Sequence, residues 1–341
     1  MKPIQVKVVQ HRGSSYEFGK TLGQQARHNP IVQTFQKITR DQIDVQAMEA
    51  IYTAFAPHLL EELRGLAEGL ELTWGQVCAR FGGYDVPKTE AMGCSALLTR
   101  NYYVRNYDFS PDFYDGYFSL LQPDQAFATA GYNLQLIGRH DGVNEHGLVI
   151  GLHFVSNADY TRGISAWTAV RMVLDICRNV EDAIHLLQEL PHAACYNFSI
   201  GDKSGDIAVV EASPEGIQVR RDAALLSCVN HFQTDLLASK NRSFIAGSVK
   251  RNTYMQGMQD KSYTQDEMVQ LFKDKESPLF FRDYADLFGT LHTFSYAYQD
   301  ARIVTVLAQG ERFFTLNFAD WVRGHDTAVE WLEGKIEEEN E

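Results

Sequence analysis

The residue best equipped to do chemistry is Cys94, in the run Met92-Gly93-Cys94-Ser95. A cysteine attacks through its thiolate and needs a base to reach that state near neutral pH. Inside a chain Cys94 has only an amide nitrogen, which is not basic. A base could be a separate histidine, with His231 and His292 as candidates. It could also be the cysteine's own nitrogen, freed by a cut between Gly93 and Cys94. An α-amino group titrates at about 7.7–8.0 and a thiol at about 8.5, so the two are matched for proton transfer. Glycine at 93 suits such a cut, because it tolerates a strained backbone and leaves its carbonyl open to the thiol. On spacing alone the commoner reading is a buried cysteine beside a loop glycine at a domain seam.

The elements that must position Cys94 change character at that point. The first 90 residues read as helices. Ser14 and Ser15 offer caps to a helix through Tyr16, Phe18, Leu22 and Ala26, interrupted by Gly19 and Gly23. Leu60, Leu63, Leu66, Ala67 and Leu70 recur at helical spacing, with Glu61, Glu62, Arg64 and Glu68 opposite them. Thr73 caps a shorter helix to about Phe81, which Gly82, Gly83 and Pro87 break. After Cys94, Ser95–Thr99 and Tyr102–Tyr107 read as a hairpin turning at Arg100-Asn101. Further strand-like runs cover 127–130, 134–137, 148–155, 197–200, 207–211, 217–220, 225–229, 291–298, 303–307 and 313–317. Helices are expected over 166–177, 180–190, 244–258 and 265–272. Consecutive hairpins with helices in separate blocks imply antiparallel sheets covered by helices, an α+β fold, not an alternating parallel sheet.

Composition narrows the function. At 341 residues, 45% apolar and 22% charged, the chain is ordinary globular material for one large domain or two smaller ones. A net charge of -13 argues against a broad basic footprint for nucleic acid or an anionic membrane. Met1–Ser15 lacks the apolar run of a secretory leader and no window approaches 18 uninterrupted apolar residues, so a cytoplasmic location without membrane association is expected. Cys78, Cys94, Cys177, Cys195 and Cys228 are too scattered for a disulfide scaffold and form no C-x-x-C pair. The sequence has no Gly-rich phosphate loop, H-E-x-x-H or G-x-S-x-G. His140, His146 and His153 lack familiar ligand spacing, and neither a metal nor a cofactor is expected.

An ordered series of motifs carries a resemblance. Gly13-Ser14-Ser15-Tyr16-Glu17-Phe18-Gly19 with Gly23, Gly65-Leu66-Ala67-Glu68-Gly69-Leu70, Gly93-Cys94-Ser95-Ala96, Arg105-Asn106-Tyr107-Asp108-Phe109, Asn144-Glu145-His146-Gly147-Leu148 and Val229-Asn230-His231 span nearly the whole chain. The chain resembles the acyl-CoA:6-aminopenicillanic acid acyltransferase family of N-terminal nucleophile hydrolases, relatives of choloylglycine and linear amide hydrolases. The resemblance implies a four-layer αββα fold made as a precursor that cleaves itself between Gly93 and Cys94. The pieces would be a helical 1–93 segment and a 94–341 catalytic domain, packed as one unit. The implied activity is hydrolysis or acyl transfer at C–N amide bonds through an acyl-cysteine intermediate. The partner is a small acyl amide, and the transfer reaction admits an acyl-CoA. The alternatives are a noncatalytic binding protein on the same fold, with Cys94 internal, and a cysteine peptidase with a separate histidine base.

The resemblance also distributes roles. Arg105 would lie beside the thiol, Asp108 would hold the freed amine, and Asn230 would donate its side-chain amide to the oxyanion. Guanidinium favours thiolate and carboxylate orients ammonium, so the pair is chemically sensible. A turn at Arg100-Asn101 pairs Cys94 with Tyr107 and Ala96 with Arg105. Alternation then puts Arg105 on the Cys94 face and Asp108 on the other, so a bulge or bend near Tyr107 is needed to bring Asp108 round. His153, in Gly151-Leu152-His153-Phe154, stands where the family pattern has asparagine. A neutral imidazole could donate one hydrogen bond there, but its charge would change near pH 6.5. Ser248 and Arg251 resemble a Ser-x-x-Arg element near the substrate entrance. His231 and Glu211 match family positions that also admit structural roles.

Overall fold

A computed structural model describes residues 1–88, 93–221, 224–284 and 288–337. The chain opens with β1 (Lys2–Gly13), α1 (Ser15–Ala26), α2 (Pro30–Ile38), α3 (Val45–Phe55), α4 (Pro57–Leu70) and α5 (Trp74–Phe81). Seven strands and two helices follow: β2 (Gly93–Thr99), β3 (Tyr102–Phe109), β4 (Tyr117–Pro123), β5 (Thr129–Leu134), β6 (Gly138–Asn144), β7 (Val149–Ser156), α6 (Ala166–Ile176), α7 (Val180–Glu189) and β8 (Cys195–Gly201). Next come β9 (Ile207–Ser213), β10 (Gly216–Arg220), β11 (Leu225–Cys228), α8 (Ala246–Gln256) and α9 (Gln265–Lys273). The chain ends with β12 (Arg282–Asp283), β13 (Phe288–Ala297), β14 (Arg302–Leu307), β15 (Phe314–Asn317), α10 (Phe318–Val322) and β16 (Trp331–Ile336).

The strands form two sheets, one ordered β10-β9-β8-β7-β6-β5-β4-β1-β16 and the other β11-β2-β3-β13-β14-β15 with β12 against β13. Neighbours are antiparallel except β1 and β4. The sheets meet face to face through β2 with β7 and β8, and β13 with β6. Helices α6 and α7 cover the outer face of the first sheet, and α8 and α9 that of the second. The result is the expected αββα layering, with one large apolar core running through both sheets and the helices on the first.

The expected all-helical start does not hold for residues 2–13. Ile4, Val6 and Val8 alternate with the exposed or half-exposed Pro3, Gln5 and Lys7, a period-two pattern that builds β1 into the first sheet between β4 and β16. The 1–93 segment is therefore helical only after an initial strand. Expected strands at 127–130 and 134–137 give way to β5 and β6, because Gln135 and Leu136 turn the chain with φ of 52° and 65°.

The glycines inside α1 and α4 have a packing reason. A Cβ at Gly65 would lie 1.9 Å from the Tyr16 carbonyl oxygen, and one at Gly19 2.0 Å from that of Glu62. The two helix backbones cross at a distance only glycine allows. That crossing sets α4 where Glu62 meets Arg171 of α6 through Oε2–Nη2 at 2.7 Å, while His58 Nε2 lies 2.7 Å from Asp175 Oδ2.

Candidate active site

The β2–β3 hairpin turns at Arg100-Asn101 and pairs Cys94 with Tyr107 and Ala96 with Arg105, as the two-residue turn dictates. Both Cys94 and Arg105 project between the sheets and are fully buried. Arg105 Nη2 donates to Cys94 Sγ at 3.0 Å and to the Leu152 carbonyl at 2.5 Å, while Nη1 donates to Asp141 Oδ2 at 2.6 Å. Burial pushes the Cys94 thiol up to about 11, Asp108 adds to the rise, and Arg105, Arg251 and the Asp108 backbone amide oppose it. A surface cleft of about 920 Å³ between α9 and the end of β14, lined by Tyr254, Leu271 and Gln309 among others, includes neither Cys94 nor its partners. In the intact chain the thiol is thus enclosed.

Asp108 pairs with Gly93 across the hairpin. One carboxyl oxygen accepts from Thr290 Oγ1 at 2.7 Å and the other is buried without a partner. Burial pushes this carboxyl up to about 6 against the pull of Arg251, Thr290 and Arg105. The bulge or bend expected near Tyr107 to bring Asp108 round is absent from the β2–β3 pairing, which runs in regular register through Tyr107 and Asp108; the register shift lies instead in the adjacent strand β13. Thr290 pairs with Asp108 and His292 with Tyr107, so Leu291 of β13 is the extra residue.

Asn230 follows β11 and turns its amide oxygen to the cysteine. Its Oδ1 accepts from the Cys94 backbone N–H at 2.9 Å and from Arg251 Nη2 at 2.9 Å. Its Nδ2 donates to the Phe154 carbonyl at 2.9 Å, leaving one amide proton for an oxyanion. Arg251 Nη1 donates to the Cys94 carbonyl at 2.7 Å and to Ser95 Oγ at 2.8 Å. The expectation that Ser248 and Arg251 mark an entrance is corrected, since both are buried. Arg251 clamps the Cys94 backbone from the far side of the sheet. Ser248 Oγ accepts from the Asn230 backbone N–H at 2.9 Å and bonds His231 Nδ1 at 2.8 Å, so both residues brace Asn230. Glu211 accepts from the backbone of Gln233 and Thr234 and from Arg220, holding the chain just after His231.

His153 lies on β7, fully buried, with Nε2 2.9 Å from Ser199 Oγ and Nδ1 unpartnered. Burial drives its pKa well below the usual range against a pull from the Cys94 backbone. The expected charge change near pH 6.5 therefore gives way to a neutral ring. His292 bonds Asp141 and Tyr114, and His231 bonds Ser248. The hydrogen-bonding partner of the sulfur is an arginine, an arrangement that does not resemble a cysteine–histidine pair. All five cysteines are buried and free. Among the described residues no group of three or more His, Cys, Asp or Glu could hold a metal, and no helix is long and apolar enough to cross a membrane.

Sequence reasoning missed Asp141 and Tyr114, and weighed His292 only as a base. Asp141 sits on β6, whose run Gly138–Asn144 is polar or glycine except for Val143 yet wholly buried. Tyr132 pairs with Asp141 and Asn133 with Arg139, making His140 an extra residue. This bulge turns both His140 and Asp141 toward the other sheet, with the His140 ring 3.9 Å from that of Tyr107. Hydrophobic periodicity holds no signal for such a strand.

A cysteine leading an inner strand of an αββα sandwich, with an arginine on its sulfur, fits the N-terminal nucleophile class that the motifs imply. The chain belongs to the family described as acyl-coenzyme A:6-aminopenicillanic acid acyl-transferase, whose model matches residues 97–312, more than half its length. Similar solved structures include a mutant conjugated bile acid hydrolase from Clostridium perfringens, at 13% identity, TM-score 0.46, covering 73% of this chain and 97% of that one. Penicillin V acylase from Agrobacterium tumefaciens is similar at 13% identity, TM-score 0.44, covering 67% and 88%. The Caenorhabditis elegans ortholog of N-acylethanolamine-hydrolyzing acid amidase is similar at 10% identity, TM-score 0.42, covering 60% and 93%. No curated protein matches the chain.

Proposed function

We propose that the chain is an autoprocessing amidohydrolase or acyltransferase in which Cys94 becomes the N-terminal residue and acts through an acyl-cysteine intermediate. The observation that carries this reading is the position of both Cys94 heteroatoms. The sulfur lies on Arg105 Nη2 at 3.0 Å, and the backbone nitrogen is already held by Asn230 Oδ1 at 2.9 Å. In processing, Sγ attacks the Gly93 carbonyl carbon, the Gly93–Cys94 C–N bond breaks as the departing nitrogen takes up the thiol proton, and water then hydrolyses the thioester to the Gly93 carboxylate and the free Cys94 thiol.

In turnover the freed α-amine takes the thiol proton as sulfur attacks the substrate carbonyl. The same ammonium returns a proton to the departing amine, leaving an acyl-thioester. Water completes hydrolysis; an acceptor amine completes transfer, and an acyl-CoA can load the same sulfur by thioester exchange. The remaining Asn230 Nδ2 proton serves the oxyanion, a kind of contact worth about 10²–10³ in rate. The pairing of Asp108 with Gly93 across the hairpin supports its reading as the group that orients the new ammonium. The acyl group is expected to be apolar, with the amine side open.

Wild-type protein should resolve on a gel into pieces 1–93 and 94–341. Cys94→Ala should remain one 38.6 kDa chain and release no amine from N-acyl amides. Active enzyme whose intact mass shows an unbroken Gly93–Cys94 bond overturns the proposal.

A further inference from the structure

Arg105 touches the Cys94 sulfur, and its placement is determined from behind. Asp141 Oδ2 accepts from Arg105 Nη1 at 2.6 Å and from His292 Nε2 at 3.0 Å. His292 Nδ1 in turn accepts from the Tyr114 hydroxyl at 2.8 Å. The Tyr132 ring stacks on the imidazole, with centroids 3.7 Å apart and planes 12° from parallel. All these side chains are buried between the sheets.

We propose that Asp141, His292 and Tyr114 are positioning residues of the reaction, a hydrogen-bonded chain that locks the Arg105 guanidinium against the Cys94 sulfur. The inference rests on the reading of Cys94 as nucleophile. Arginine carries about 2 kcal/mol of rotamer entropy, so a guanidinium that must meet one sulfur needs fixing. Because the group is planar, holding Nη1 on Asp141 and Nη2 on the Leu152 carbonyl fixes its whole plane and directs Nη2 to Sγ. The Tyr114 O–H on Nδ1 sets the His292 tautomer, so that Nε2–H points at Asp141.

A buried ion pair serving stability alone would need only Arg105 and Asp141. His292 and Tyr114 add no charge to it. Burial pulls the His292 pKa down against the attraction of Asp141, and what the two residues contribute is direction. Two irregularities in different sheets build the contact: the His140 bulge turns Asp141 inward, and the Leu291 bulge sets His292 opposite it. Bulges of this kind re-aim side chains beside active sites.

The test uses wild type, Asp141→Asn and Tyr114→Phe, each also made with Arg105→Lys, expressed from the whole chain and compared in the same cleavage state as read by intact mass. Two quantities are read: the rate of Cys94 alkylation by iodoacetamide, followed by intact mass, and kcat and KM for the best amide found. Asp141→Asn should slow alkylation and lower kcat by about 10²-fold, the effect of an arginine displaced by about 1 Å, with KM nearly unchanged. Tyr114→Phe should lower both several-fold. With lysine at 105 there is no fork to lock, so neither substitution should add more than about two-fold. If Asp141→Asn fails to fold, Tyr114→Phe carries the test, since it removes one hydroxyl and no charge.

Unchanged alkylation and kcat in Tyr114→Phe and in any folded Asp141→Asn overturn the proposal. So do losses that recur in full with Arg105→Lys, which a merely structural role would give. Slowed alkylation in a protein that hydrolyses no amide overturns the amidase reading and leaves the lock standing. Turnover by wild type with unaffected variants does the reverse.

Discussion

The Asp108 carboxyl provides a quantitative check on the geometry of the uncleaved junction. Burial raises its folded pKa to about 6 from an ordinary value of 3.8. That gap of about two pH units, at about 1.4 kcal/mol per unit, amounts to about 3 kcal/mol. The folded chain holds the proton more tightly than the unfolded one. The contribution is therefore fully present below pH 3.8 and lost as pH rises through 6. Asparagine at 108 does not titrate. Comparing Cys94→Ala with Cys94→Ala/Asp108→Asn keeps the junction intact and cancels every other carboxylate, including Asp115, which burial raises to about 7. Urea unfolding of the pair from pH 4 to 7.5 should show the asparagine variant gaining about 2.4 kcal/mol relative to its parent across that range, the rest of the full difference lying below pH 4, and most of the gain should fall between pH 4 and 6.5. A difference flat to within about 1 kcal/mol refutes the enclosed, poorly partnered Asp108 described here. In self-cleaved wild type the new ammonium beside Asp108 lowers its pKa, so the same substitution should show a smaller pH effect and abolish turnover.

Two further predictions concern how α4 is held, first against α1 and then across the proposed cut. Gly65→Ala places a methyl 1.9 Å from the Tyr16 carbonyl oxygen and must push α1 off α4, costing about 3 kcal/mol; an unchanged urea midpoint would contradict the close crossing. Glu62→Gln removes one partner of the buried Arg171, whose other carboxylate is Asp175, and should destabilise the protein by about 3–5 kcal/mol in thermal unfolding. Because Glu62 lies before the proposed cut and Arg171 after it, the loss should also lower the urea concentration at which cleaved pieces separate.

What the sequence made legible follows the strength of each local signal. The register of Cys94 against Tyr107 was readable because a two-residue turn leaves one pairing, and α4 because its leucines repeat at helical spacing. The strand β1 carries a fair signal in Ile4-Gln5-Val6-Lys7-Val8, diluted by the charged residues around it. Strand β6 carries none, because a buried polar strand is stabilised by partners far away in sequence. Yet one consequence was implicit. Turning Arg105 inward beside Cys94 buries a guanidinium, and a buried guanidinium must find hydrogen-bond acceptors, of which a carboxylate is the strongest. Asp108 faces the other side of the strand, and Asp115 spends both oxygens on the backbone amides of Gln135 and Leu136. The acid that meets Arg105 is Asp141, and the single extra residue at His140 brings it to face Arg105 across the gap between the sheets.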